Sequence, residues 1–158
     1  MKKALPFHRF AGLLAIALIL VLVLAACSSG QATSDSEKVP KPSNPGGTGP
    51  ALSLTGDATH GSDVFKANCV ACHGDQGKAP VANPGSTDGT VPSLNPIDEA
   101  LFNSNPKTFA ANIDLFIEHG STPEGTSPAL KMPAFGDTKT LSPQDIADVM
   151  AYVISLNK

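Results

Sequence analysis

Apolar and polar positions divide the chain into stretches of three kinds. From Phe10 to Leu24 nearly every residue is apolar, behind Lys2, Lys3 and Arg9 and ahead of the small residues Ala25 and Ala26. A positive flank, an apolar run and small residues in that order predict an export segment whose charged end stays inside, residues 1–26. Ser28 to Gly56 is the opposite: rich in Pro, Gly and Ser, with few large apolar residues and no period. Such a stretch buries too little surface to offset its ordering entropy, which predicts a flexible tether over residues 27–56. From Asp57 a helical period begins. Val64, Phe65, Cys69 and Cys72 fall on one side of a helix that Asp57 caps and Gly74 stops. Phe109, Ile113, Phe116 and Ile117 mark a second helix, Pro106 to His119, ended by Gly120. A third follows the Ser142 cap, with Pro143 in its first turn, Asp145 completing a capping box, and Ile146, Val149, Met150, Val153 and Ile154 along one face. Asp75 to Asn105 and Ser121 to Lys131 read as loops, apart from a short turn at Asp98 to Asn103. No stretch reads as strand, helix, strand, so residues 57–158 predict a small all-α domain.

The chemistry gathers at Cys69-Val70-Ala71-Cys72-His73. Cys-x-x-Cys-His is the attachment pattern for c-type haem, in which two thiols add across the haem vinyl groups and the imidazole supplies an axial ligand. Three residues are nearly one helical turn, so both sulfurs face the same way. A zinc ribbon needs further ligands at suitable spacing, and the third cysteine, Cys27, stands at the end of the apolar run. A thioredoxin-like pair needs a βαβ context.

Charge and composition narrow the reading. Without residues 1–26 the chain keeps eight lysines against fourteen acids, a formal charge of −6. An acidic domain excludes nucleic acid as the natural partner, because phosphate binding needs a basic face. With no Trp and one Tyr, the domain has few residues for a large core, and a haem would supply much of the apolar packing. Gly61 inside the first helix costs about 1 kcal/mol against Ala, so the close approach of another helix is expected there.

Two resemblances follow from these residues. Leu24-Ala25-Ala26-Cys27 resembles a bacterial lipobox, which implies cleavage before Cys27, lipidation of its sulfur, and anchoring on the outer face of the cytoplasmic membrane or in the periplasm. Gly61, Phe65 and Cys69-x-x-Cys72-His73 resemble the N-terminal helix of small class I cytochromes c, over about a hundred residues. That resemblance implies three to five helices wrapped around one covalently bound haem c, with the first and last helices crossing near Gly61. It makes Pro92 the residue whose carbonyl accepts a hydrogen bond from the His73 imidazole, and Leu94 a residue that packs on the macrocycle. Met132, followed by Pro133 and placed before the last helix, matches the distal axial ligand; Met150 inside that helix reads as core. His60 and His119 read as solvated helix residues, the latter beside a helix C-terminus.

The implied function is that of a membrane-tethered electron carrier rather than an enzyme. A quinol-oxidising complex would be its donor, and a terminal oxidase or photosynthetic reaction centre its acceptor. One alternative makes the domain a fixed subunit of a larger membrane oxidoreductase. Another is a haem sensor or peroxidase-like protein with an open sixth position. The sequence leaves the oligomeric state open.

Overall fold

The computed structural model describes residues 41–78 and 81–158, all within one unit, Lys38–Lys158. The export segment and Cys27 lie outside the described residues. The described elements are a 3-10 turn at Pro50–Ser53, helices α1 (Ala58–Asn68) and α2 (Val70–His73), a 3-10 turn at Asp75–Gly77, and helices α3 (Pro106–His119) and α4 (Pro143–Ser155). Among the described residues there is no strand, only isolated bridges pairing Ala82 with Thr90, Leu94 with Ile97 and Ser121 with Met132. The domain is all-α.

Each long helix begins where a side chain accepts from its free N–H groups. Asp57 accepts from Thr59 at 2.8 Å, Asn105 from Lys107 and Thr108, and Ser142 with Asp145 forms a reciprocal capping box. At the other end of α3, Gly120 takes φ 64°, a left-handed backbone that stops the helix.

The first helical segment is broken where the sequence suggests continuity. α1 ends at Asn68, Cys69 sits at φ −116°, and α2 is a separate single turn closed by Gly74. Asn68 donates its side-chain amide to the Val64 carbonyl at 2.9 Å, a local bond that competes with continuation of the helical ladder.

The frame is the crossing of α1 with α4. A Cβ at Gly61 would fall on the backbone carbonyl of Asp148, so glycine is what lets the two backbones meet. Around that contact Val64, Phe65, Ile146, Val149, Met150 and Val153 are buried, joined by Phe109, Ile113 and Ile117 of α3. Phe65 and Tyr152 pack as tilted rings 5.3 Å apart, an edge-to-face type of arrangement.

The described part of the proposed tether is not loose chain. Ala51 is fully buried in the core, and the segment from Ser43 to Ser53 lies along α3. Gly49 donates to Asp114 Oδ2 at 2.7 Å, the Asn44 side chain donates to the His119 carbonyl at 2.6 Å, and Ser43 Oγ accepts from Thr122. The segment Ser43 to Ser53 is therefore packed on the domain, not extended as free chain. Specific hydrogen bonds to α3, with one small apolar side chain inserted, hold a segment whose composition suggested none. His119 is corrected with it: beneath this strap its ring is buried, not solvated.

Candidate haem site

The site grows from the α1–α2 break. Within the turn that follows Cys69, the Cys72 and His73 amides both donate to the Cys69 carbonyl, at 3.1 and 2.9 Å. Both cysteines are free thiols and half-buried. Burial first, and then the neighbouring Cys72, push the Cys69 thiol up to about 11. Thiolate metal sites and redox-active pairs need the opposite shift. Among the described residues no group of three or more His, Cys, Asp or Glu is arranged to hold a metal ion.

His73 is oriented by Pro92. Its Nδ1 lies 3.1 Å from the Pro92 carbonyl oxygen, and a carbonyl only accepts, so Nδ1 carries the proton and Nε2 is left as a bare lone pair. Burial pulls the His73 pKa down, against a smaller upward pull from the Pro92 carbonyl. The neutral ring with Nε2 free is the state that ligates a metal.

The Pro92 segment is itself fixed. Ser93 Oγ and the amides of Leu94 and Asn95 all donate to the Gly77 carbonyl, at 2.9, 2.9 and 3.1 Å. Asn157, just beyond α4, donates to the Leu94 carbonyl at 2.9 Å. The turn after His73, the Pro92 loop and the end of α4 are thus tied together.

Met132 lies on a loop, but its backbone is pinned. Its amide donates to the Ser121 carbonyl at 2.8 Å, and its carbonyl accepts from Ser121 at 3.0 Å. Met150 is 4% exposed in the core, whereas Met132 is half-buried and packs against the core. Cys69, Val70, Leu94 and Leu101 likewise pack against the core while only partly buried. Apolar residues that touch the core yet stay half open fit a flat prosthetic group that would cover them. With two adjacent thiols and one imidazole held in the ligating tautomer, the residues present fit a haem.

Other polar residues that tie the domain together gave little sign in the sequence. Asn83, inside the stretch read as loop, and Asp114 are fully buried, and Asp148 nearly so. Asp148 accepts from the Asp57 amide and from Gln144, and contacts His60 Nδ1 at 2.8 Å. Asp148 follows Ala147 and precedes Val149 on the buried side of the last helix, which is the one hint in the sequence that a carboxylate there needs partners.

A helical frame crossing at a glycine, an adjacent thiol pair and a carbonyl-bound imidazole define a class I c-type cytochrome domain, whose prosthetic group is haem c. The sequence model of the family described as cytochrome c oxidase, cbb3-type, subunit III matches residues 56–153, and the chain belongs to that family. Similar curated proteins include the cbb3-type cytochrome c oxidase subunits FixP of Sinorhizobium medicae (strain WSM419) and Rhizobium meliloti (strain 1021). Each is 32% identical over 99 residues, which is 62% of this chain and 29% of the relative. The chain thus spans less than a third of the length of these relatives. No solved structure matches.

Proposed function

We propose that this chain is a one-electron carrier working with a terminal oxidase, holding one haem c through Cys69 and Cys72, with His73 and Met132 as axial ligands. The observation that carries this reading is the hydrogen bond from His73 Nδ1 to the Pro92 carbonyl. It leaves Nε2 as the ligating atom and strengthens it as a donor. The haem when bound supplies reversible one-electron exchange at iron, and His/Met ligation raises its reduction potential. The protein's residues hold that group. Cys69 and Cys72 would hold the group covalently, Leu94 would pack on it, and Met132 would supply a soft thioether ligand opposite in character to the His73 imidazole. With His73 and Met132 both as ligands, no place would be left for a substrate at the metal, and the chain would act as a carrier rather than as an enzyme in its own right.

Its station is the outer side of the cytoplasmic membrane, by way of export and a lipid anchor on Cys27. No helix among the described residues is long and apolar enough to cross a membrane. Electrons arrive from a quinol-oxidising complex and leave to the oxidase. The relatives are named as oxidase subunits, which favours the fixed-subunit form of this reading over a free shuttle. Detergent extraction separates the two: a subunit co-purifies stoichiometrically with the oxidase, whereas a shuttle does not.

The test of the site is the optical spectrum of the haem-loaded protein beside Met132→Ala. His/Met ligation gives a far-red sulfur-to-ferric-iron band in the parent and none in the variant. If the parent lacks the band and its reduced form binds carbon monoxide without denaturant, the site has an open position and the carrier reading fails in favour of a sensor or peroxidase-like protein.

A further inference from the structure

We propose that Asn83 is the positioning residue for Met132, and that the loop 81–92 sets both axial residues from one piece of chain. This rests on the reading of Met132 as an axial ligand.

Asn83 is fully buried, and its amide engages both backbone polar groups of one residue. The Leu130 amide donates to Asn83 Oδ1 at 2.7 Å, and Asn83 Nδ2 donates to the Leu130 carbonyl at 3.0 Å. A side chain thus does for Leu130 what a neighbouring strand would do. Leu130 is two residues from Met132, so the clamp holds the approach to Met132 while the Met132–Ser121 backbone pair holds Met132 itself.

The clamp is rigid at its own end. The Asn83 amide donates to Gly89 at 2.8 Å, and its carbonyl accepts from Ser86 twice, at 3.2 Å from the amide and 2.8 Å from the hydroxyl. The neck of the loop is closed by the bond from the Val91 amide to the Val81 carbonyl, 2.8 Å. Pro92, which orients His73, is the next residue. The same loop also holds the segment leading to Leu130, through bonds from Ala129 to the Pro84 carbonyl and from Ser127 to the Gly85 carbonyl. One side of this loop therefore orients the imidazole, and its buried amide fixes the approach of the thioether.

A residue that only stabilised the fold would shift the unfolding midpoint and leave the ligation of the folded protein alone. The experiment compares haem-loaded parent, Asn83→Ala, Asn83→Ser and Met132→Ala well below their unfolding transitions. It follows the far-red band and carbon monoxide uptake by the reduced protein. Expected is a weakened band and about tenfold faster carbon monoxide uptake in both Asn83 variants, the scale of losing a net hydrogen bond, with helical circular dichroism unchanged. Parent-like band and uptake in either folded variant overturn the positioning role. A parent without the band, or a Met132→Ala variant that keeps it, instead removes the ligand assignment on which the proposal rests. Should neither Asn83 variant load haem, amide hydrogen exchange of the parent decides: Leu130 must be strongly protected although it lies in a loop, and rapid exchange there overturns the clamp.

Discussion

His119 has an acceptor at each ring nitrogen. Nδ1 lies 2.9 Å from Asp137 Oδ2, and Nε2 lies 2.7 Å from the Gly47 carbonyl oxygen. Neither an ionised carboxylate nor a carbonyl can donate, so these partners favour the ring with both nitrogens protonated, the cationic form. The Gly47 carbonyl and then Asp137 hold its pKa above the usual histidine value. A raised folded pKa gives stability that is complete below the unfolded value near 6.5 and is lost as pH rises through the folded one. The haem-loaded protein should therefore lose stability to urea as pH rises above about 6.5. His119→Gln should flatten that slope and lower stability at pH 6 by roughly 1–2 kcal/mol. An unchanged slope in the variant would mean that the ring is neutral. His60 contributes with the same sign, since its side-chain bond to Asp148 raises its pKa, but its ring is more than half exposed, which places the main effect at His119. The sequence marked His119 beside a helix C-terminus without its partners. Those come from Gly47 and Asp137, one in a segment with no apolar period and the other in a turn, and neither is signalled by spacing.

Among the helices, the decisive contact is the one at Gly61. Alanine there would gain about 1 kcal/mol in helix propensity, but its methyl would meet the Asp148 backbone, which cannot rotate aside as a side chain could. Overpacking of this kind costs about 1–3 kcal/mol or more, so the clash outweighs the propensity. Gly61→Ala should lower the thermal midpoint of the haem-loaded protein by about 10 °C. A midpoint raised by the substitution would show that the helices separate easily there. At the same crossing, burial drives the Asp148 pKa up, but the Asp57 amide, His60 and Gln144 together outweigh it and leave it below the usual carboxylate range. A depressed folded pKa gives stability present above about 3.8 and lost as pH falls through the folded value. Asp148→Asn should thus make acid unfolding less steep, measured by circular dichroism between pH 5 and 2. This crossing was the most legible part of the fold, because a glycine inside a periodic helix has few explanations. The break at Cys69 was not: Asn68 turns back to Val64, and nothing in the apolar period reports a side chain that competes with its own helix.

For the molecule as a whole, the boundary of the folded unit is the main departure from the sequence reading. Pro and Gly made Ser43 to Gly56 resemble the stretch before it, yet a single methyl, Ala51, enters the core, and backbone groups from Gly47 and Gly49 answer polar side chains of α3. Burial pushes the Asp114 carboxyl up, partly offset by the Gly49 amide and then by His119, so removing the strap would strip this buried acid of the Gly49 donor. A chain beginning at Leu54 should load haem yet unfold at lower urea, by roughly 2–3 kcal/mol. Equal stability of the two forms would show that the strap rests on the domain without holding it.

The strap also shortens the leash. If Cys27 is the anchored residue, a domain that began at Asp57 could stand about 100 Å from its lipid, the contour length of thirty residues; one that begins at Ser43 can stand no more than about 55 Å away. The half-sphere within that reach is about one sixth of the larger volume. On such an anchor, an electron partner would need its own entry point within that reach of the bilayer, and the domain would be held there at a correspondingly higher local concentration.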